Sequence, residues 1–311
     1  MSEPLVPPEG FRIGHWTDET GRTGCTVVIP PEGTRGGVDV RGGGPGTRET
    51  DVVSPLAGTD RVSAVMFAGG SAYGLAAADG AMRWLEANGI GYPTPAALVP
   101  IVPAAIVYDL AEGDASARPT ADSGYAACDA AREGVPERGR VGAGTGTAAG
   151  KILGRDAATP SGVGYAAVRG GFGATVAALA VANPFGDVVA GNGTVLAGAR
   201  GDGAPRTAEF IAALDRVPSS TELESRNTTL VCVMTGASLD KAGCARVARA
   251  ASAGIARAVE PVFTDVDGDV VFCLASGEGE LAHRFELIQL ETLAAHVTAE
   301  AIRDAVTSAQ P

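Results

Sequence analysis

Arg226-Asn227-Thr228-Thr229-Leu230 is a polar segment that turns directly into the apolar run Leu230-Val231-Cys232-Val233-Met234. A threonine at the head of a buried strand becomes a complete catalytic unit if the Asn227–Thr228 bond is cut. Its hydroxyl then attacks, and its own α-amine takes the proton. An α-amine titrates near ~7.7–8.0, so a good part of it is neutral at working pH, unlike a lysine. The same five residues also suit an ordinary loop-to-strand transition, and so short a motif does not choose between the two readings.

Other clusters imitate known chemistry. Val65 to Asn88 reads as a strand, the turn Gly69-Gly70-Ser71-Ala72-Tyr73, then a helix, which is the setting of a serine-hydrolase elbow with Ser71 as nucleophile. That elbow needs glycine two residues after the serine; Tyr73 stands there, and Gly74 comes one residue late. A Gly-rich helix start or substrate loop is the plainer reading. Gly142-Ala143-Gly144-Thr145-Gly146 through Gly150-Lys151 imitates a phosphate loop, but Thr145 and Ile152 break the P-loop pattern, and Thr147 breaks the dinucleotide fingerprint. Asp265-Val266-Asp267-Gly268-Asp269 opens like a calcium loop, yet Val270 and Ser276 occupy the places of the EF-hand glycine and glutamate. It reads either as a tight turn between strands or as a pair of carboxylates beside an amine. His15, His283 and His296 lack metal-ligand spacing and read as structural.

The elements that must position these residues follow from periodicity. Strand-like runs lie at Thr26–Ile29, Ala64–Phe67, Ile101–Val107, Thr175–Val181, Leu230–Met234 and Val270–Leu274. Helical spacing predicts helices over Leu75–Asn88, closed by Gly89, over Ser238–Val259 and over Glu286–Val306. Strands and helices alternate too irregularly for a βαβ array, which favours an α+β layered fold. From Ala199 to Asn227 the chain is rich in charge, glycine, proline and serine, including Pro218-Ser219-Ser220-Thr221. Such a stretch is either a surface loop or the exposed connector that a self-cleaving bond requires.

Composition narrows the partners. A chain of 311 residues with 45% hydrophobic and 19% charged residues is globular and buries a substantial core. A formal charge of −12 and the lack of any basic run argue against nucleic acid or an anionic membrane surface. Five scattered cysteines inside apolar runs read as buried thiols in a reducing compartment. The polar, proline-rich opening offers no signal-peptide core, and no apolar run reaches membrane-spanning length, so the expected location is cytoplasmic.

Several ordered motifs then converge. Arg12-Ile13-Gly14-His15-Trp16, Val38-Asp39-Val40-Arg41-Gly42-Gly43, Gly69-Gly70-Ser71-Ala72-Tyr73-Gly74, Val102 to Asp109, Val141-Gly142-Ala143-Gly144 to Gly150-Lys151, Val181-Ala182-Asn183-Pro184, Asn227-Thr228-Thr229 and Thr264 to Asp269 follow one another along the chain. Together they resemble the self-processing L-aminopeptidase/D-esterase (DmpA-type) family, which includes β-peptidyl aminopeptidases and endo-type nylon-oligomer hydrolases. The likeness runs from Phe11 to Ala305. It implies a four-layer αββα sandwich of α+β class and a single catalytic domain over 1–311, self-cleaved into chains 1–227 and 228–311. It also implies a homo-oligomer, a tetramer, acting on a small-molecule or oligomeric amide substrate with no metal or organic cofactor.

Carried over by position, Thr228 resembles the nucleophile, freed by cleavage after Asn227. Asp267 and Asp269 stand where the family orients and charge-balances the new amine. Lys151 matches a lysine near the nucleophile, and Asn183 and Tyr108 match oxyanion donors. The threonine and the Asp267-Gly268-Asp269 acid pair are closer in appearance to the nylon-oligomer (6-aminohexanoate oligomer) hydrolases than to aminopeptidases that use serine. The resemblance implies hydrolysis of short peptides, amino-acid amides or 6-aminohexanoate oligomers. Two alternatives stand beside it: a Ser71 serine hydrolase, and an ornithine-acetyltransferase type of acyl transfer, whose Ala-Thr-Met-Leu context is absent here.

Overall fold

Ten strands carry the molecule's two main sheets, and alternation along them decides which layer each face meets. The structure, a computed structural model, describes residues 5–171, 173–215, 227–278, 280 and 282–310. Among these, one five-stranded sheet has the order β1 (Arg12–Asp18), β2 (Thr23–Ile29), β5 (Val65–Ala68), β6 (Ala104–Ile106) and β4 (Thr47–Arg48). The other has the order β7 (Val163–Arg169), β8 (Thr175–Asn183), β9 (Thr228–Thr235), β10 (Val270–Ala275) and β3 (Arg35–Val40). Neighbours pair antiparallel except β5 with β6 and β9 with β10, which run parallel.

Strand β8 shows how the layers form. Val176, Ala178, Ala180 and Ala182 face one apolar cluster, while Ala177, Leu179 and Val181 face another. Strand β9 divides likewise, with Val231 and Val233 on one side and Leu230, Cys232 and Met234 on the other. Strands apolar on both faces belong to a sheet covered on both sides. The first cluster is shared with α4 (Lys241–Ala258) and α5 (Arg284–Thr307), and the second with the inner face of the first sheet. A third cluster packs the first sheet against α1 (Ala77–Ala87) and α2 (Ala121–Asp129). The result is the expected four-layer αββα sandwich. Phe67 and Phe272 meet across the sheet–sheet core with ring centroids 6.1 Å apart; truncating either to alanine costs about 3–5 kcal/mol.

Glycine sets how closely the layers approach. A Cβ on Gly80 would lie 1.7 Å from the Ala121 carbonyl oxygen, and one on Gly124 would lie 1.8 Å from that of Ala77. Helices α1 and α2 therefore touch backbone to backbone, which no larger residue allows. The three sequence-predicted helices are present as α1 after a 3₁₀ turn at Ser71–Ala76, and as α4 and α5. The run Ile101–Val107 pairs only over Ala104–Ile106, because Pro100 and Pro103 have no N–H to give a ladder. The connector Ala199–Asn227 contains the short helix α3 (Thr207–Ala212); its Pro218-Ser219-Ser220-Thr221 stretch lies outside the described residues. All five cysteines are buried and unpaired. No helix among the described residues is long and apolar enough to cross a membrane.

Candidate active site

The site starts from register. Asn183, the last residue of β8, stands directly opposite Thr228, the first of β9. Thr228 is 3% exposed and Asn227 1%, so both are sealed inside the chain. The Thr228 hydroxyl donates to the Asn227 carbonyl oxygen at 2.5 Å, across the bond that joins the two residues. The same oxygen accepts the Gly268 N–H at 2.8 Å. Two donors thus polarise the one carbonyl that the Thr228 hydroxyl could attack.

Gly268 reaches that oxygen because the turn before β10 is held in place. Asn227 N–H donates to the Val266 carbonyl at 3.0 Å, and Asn227 pairs with Asp267 as a parallel bridge. On the other side Gly44 N–H donates to the Asp267 carbonyl at 2.8 Å. A Cβ on Gly268 would sit 2.7 Å from the Gly44 oxygen and 3.1 Å from Thr228 Oγ1, so the fit leaves no room for a side chain.

Lys151 fills the gap between β8 and Asn227. Gly150, at φ +72°, lets the chain turn so that Gly150 and Lys151 N–H donate to the Gly186 and Phe185 carbonyls. The Lys151 Nζ donates to Asn183 O and Asn183 Oδ1, both at 2.8 Å, to Asn227 Oδ1 at 3.0 Å and to Pro184 O at 3.3 Å. Burial, with repulsion from Arg155, pushes its pKa well below the ordinary lysine value, while Asp267, Glu112 and Asp269 oppose the shift. The four atoms that Lys151 Nζ bonds are all oxygen acceptors, an arrangement suited to an ammonium.

Both acids of the turn are buried. Asp267 accepts the Phe185 and Thr264 N–H groups at 3.2 Å each, and the Thr264 hydroxyl. Asp269 accepts the Thr229 N–H at 2.6 Å. Burial first, and then the Asp267 charge, raise the Asp269 pKa to about 7 against the pull of those hydrogen bonds.

Five of the six residues singled out as catalytic, Thr228, Lys151, Asn183, Asp267 and Asp269, therefore meet with Asn227 around one peptide bond. The oxyanion donors expected from sequence are arranged differently. The Asn183 amide nitrogen donates to the Tyr108 carbonyl at 3.2 Å, and its oxygen is held by Lys151 and by Ala148 N–H. Tyr108 enters through that carbonyl, which Arg155 also bonds at 3.3 Å; its hydroxyl bonds no described residue. Asn183 thus anchors Lys151, and the backbone donor on the Asn227 carbonyl is Gly268. Sequence reasoning missed Gly268, Gly44 and Val266 because they act through backbone groups; the sole hint was a glycine wedged between two acids. Ser71 sits at φ +55°, and no base among the described residues bonds its hydroxyl, as a serine nucleophile would need. A cleft of about 600 Å³ between Arg12, Arg61 and Tyr92 contains none of these groups.

A four-layer αββα sandwich of this kind is the fold of the N-terminal-nucleophile hydrolases. The chain belongs to peptidase family S58, whose family model matches residues 8–311. An uncharacterized aminopeptidase of Mycobacterium leprae is 44% identical over 297 residues, covering 87% of this chain and 78% of that protein. The 6-aminohexanoate-oligomer endohydrolase of Paenarthrobacter ureafaciens is 31% identical over 310 residues, covering 96% and 84%. The solved L-aminopeptidase D-Ala-esterase/amidase of Ochrobactrum anthropi superposes with a TM-score of 0.75 at 20% identity, covering 100% of this chain and 89% of that one. The protein is an amide-bond hydrolase.

Proposed function

We propose that this hydrolase makes its own catalytic residue by cutting the Asn227–Thr228 bond, and then works as an N-terminal-threonine amidohydrolase. The observation that carries the reading is the Asn227 carbonyl oxygen held between the Thr228 hydroxyl and the Gly268 N–H. In the first step Thr228 Oγ bonds to the Asn227 carbonyl carbon, the C–N bond breaks, and the hydroxyl proton ends on the freed nitrogen. Water then hydrolyses the resulting ester, leaving Asn227 as a carboxylate and Thr228 with a free α-amine. Residues 1–227 and 228–311 stay together as one domain because β8 and β9 are adjacent strands of the same sheet.

In turnover the Thr228 hydroxyl attacks a substrate amide and its amine passes the proton to the leaving nitrogen. Developing negative charge falls to the Gly268 N–H. Lys151, anchored by Asn183, adds positive charge to the site. Asp267 and Asp269 orient the new terminal amine and balance its charge. The substrates we assign are short peptides, amino-acid amides or 6-aminohexanoate oligomers, consistent with the aminopeptidase and oligomer-endohydrolase relatives. With Asn227 filling the site, the uncut chain has no access for them.

Mass spectrometry of the purified protein tests this directly. The expected result is a fragment beginning at Thr228, and a Thr228→Ala chain that stays whole and hydrolyses nothing. Full activity from an uncut chain, or from Thr228→Ala, would refute the proposal.

A further inference from the structure

The bond that cuts itself is the first substrate this site handles, and the N→O shift makes the point chemically. The ester it produces joins Thr228 Oγ to an α-amino acyl group, which is what an acyl-enzyme is in turnover. Only the identity of the acyl group differs. The surroundings that hold the Asn227 carbonyl are therefore available to every later acyl group, once Asn227 has left as a carboxylate.

Those surroundings are specific. The N–H of Asn227 donates to the Val266 carbonyl at 3.0 Å, and its carbonyl accepts the Gly268 N–H at 2.8 Å. These two bonds lay the residue against Val266–Gly268 in the manner of an added strand, the mode by which extended peptides bind sheet edges. Its side chain is read as well: Oδ1 accepts from Lys151 Nζ at 3.0 Å, and Nδ2 donates to the Val266 carbonyl at 3.4 Å. Asn227 is 1% exposed, so the berth encloses a residue of that size.

We infer that the berth of Asn227 is the acyl subsite of the working enzyme, built for an α-amino acyl residue with a short side-chain amide. The inference rests on the self-cleavage reading above and names its substrate class. The residue's α-nitrogen faces Val266 O, its reacting carbonyl faces Gly268 N–H, and its side-chain oxygen faces Lys151. A leucyl group keeps the first two contacts and leaves Lys151 short of one acceptor. An ω-amino acyl group such as 6-aminohexanoyl has no nitrogen on the α-carbon for Val266 and no side-chain oxygen for Lys151. An aspartyl group sets a carboxylate oxygen against the Val266 carbonyl.

The test uses the self-cleaved enzyme and four p-nitroanilides, of L-asparagine, L-leucine, L-aspartate and 6-aminohexanoate. A hydrogen bond to a charged donor separates such substrates by roughly ten- to a hundredfold. The asparagine compound is expected to lead the other three in kcat/KM by at least about tenfold. N-Acetyl-asparagine, which resembles the released carboxylate, is expected to compete with it more strongly than N-acetyl-leucine. Equal or faster turnover of the leucine or 6-aminohexanoate compound, or no turnover of the asparagine one, overturns the inference. The Thr228→Ala chain run in parallel separates the two levels. If it stays whole and inactive while asparagine shows no advantage, only the subsite assignment falls. If it is cut or active, the self-cleavage reading falls with it.

Discussion

Asn183 and Thr228 face each other as the terminal register pair of β8 and β9, and Lys151 is anchored at that pair's open end. Strand register thus fixes where Thr228 stands relative to the buried Lys151. A shift of one residue would turn every side chain of β9 to the wrong face, so the whole sheet-sheet core enforces this pairing.

Replacing Asn183 therefore tests an anchor. Asn183→Ala removes the Oδ1 acceptor from Lys151 and the donor from the Tyr108 carbonyl. Self-cleavage and kcat are expected to fall by about 10²–10³, the scale of a lost oxyanion-type interaction. Asn183→Asp keeps an oxygen for Lys151 but loses the amide donor. It is expected to retain at least about tenfold more self-cleavage than the alanine variant, measured by the appearance of the two fragments on a denaturing gel. If the two variants are equally slow, Asn183 acts as a donor and not as an anchor.

Gly268→Ala probes the close approach at the Asn227 carbonyl, part of the bond proposed to be cut. The new methyl would lie 2.7 Å from the Gly44 oxygen and 3.1 Å from Thr228 Oγ1, so the turn must move away from the bond it polarises. Self-cleavage is expected to slow by at least about tenfold, while strain of this kind costs the fold about 1–3 kcal/mol. Stopped-time mass spectrometry of fresh protein reads the first quantity and urea unfolding the second. Unchanged cleavage would remove Gly268 from the mechanism.

The pH dependence of stability reports on Asp269. Its carboxyl ionises at about 7 in the fold, held up by burial and by Asp267, against ~3.9 in an unfolded chain. Between those values the folded state keeps a proton that the unfolded state has lost. Stability therefore declines as pH rises from about 4 to about 7 and levels off above. Thr228→Ala keeps the chain in one piece for the comparison. Adding Asp269→Asn is expected to flatten the decline in urea midpoint across that window; an unchanged slope would show that Asp269 is not its source.

Side-chain patterns made much of this architecture legible, while backbone contacts concealed the remainder. The apolar runs of β8, β9 and β10 and the helical spacing of α4 and α5 declared themselves because their burial is continuous. Strand β3 did not, since Gly36 and Gly37 carry no strand signal. Gly37 is required there because a Cβ would lie 2.4 Å from the Ala245 nitrogen of α4. Helix α2 was hidden for a similar reason: Gly124 is a poor helix former kept for contact with α1, and the helix relies on a Thr120–Ser123 capping box. In the site, residue type and the family resemblance singled out Thr228, Lys151 and the acid pair, and the fold brings them together. The Gly268 N–H and Val266 carbonyl carry no side-chain signature, so only coordinates bring them to Asn227.

Lys241 provides a control that separates stability from chemistry. It is nearly buried, and its ammonium donates to three carbonyls of the loop between β4 and β5, at 2.9 Å to Val52, 2.9 Å to Ala57 and 2.5 Å to Thr59. Val53 and Val62 tie the ends of that loop into the sheet–sheet core, whereas Leu56 at its tip is 97% exposed and takes no part in that packing. Lys241→Met fills the same space but donates to none of the three oxygens. The expected loss is about 1.5–3 kcal/mol, the value of a hydrogen bond from a charged group, because solvent can reach the freed carbonyls. Limited proteolysis is expected to begin near Leu56 in the variant and not in the parent. No hydrogen bond among the described residues joins this loop to Thr228 or Lys151, so self-cleavage and kcat are expected to stay within about twofold. A variant that folds with its loop intact but fails to cut itself would show that the loop and the site are coupled through α4, whose first residue is Lys241.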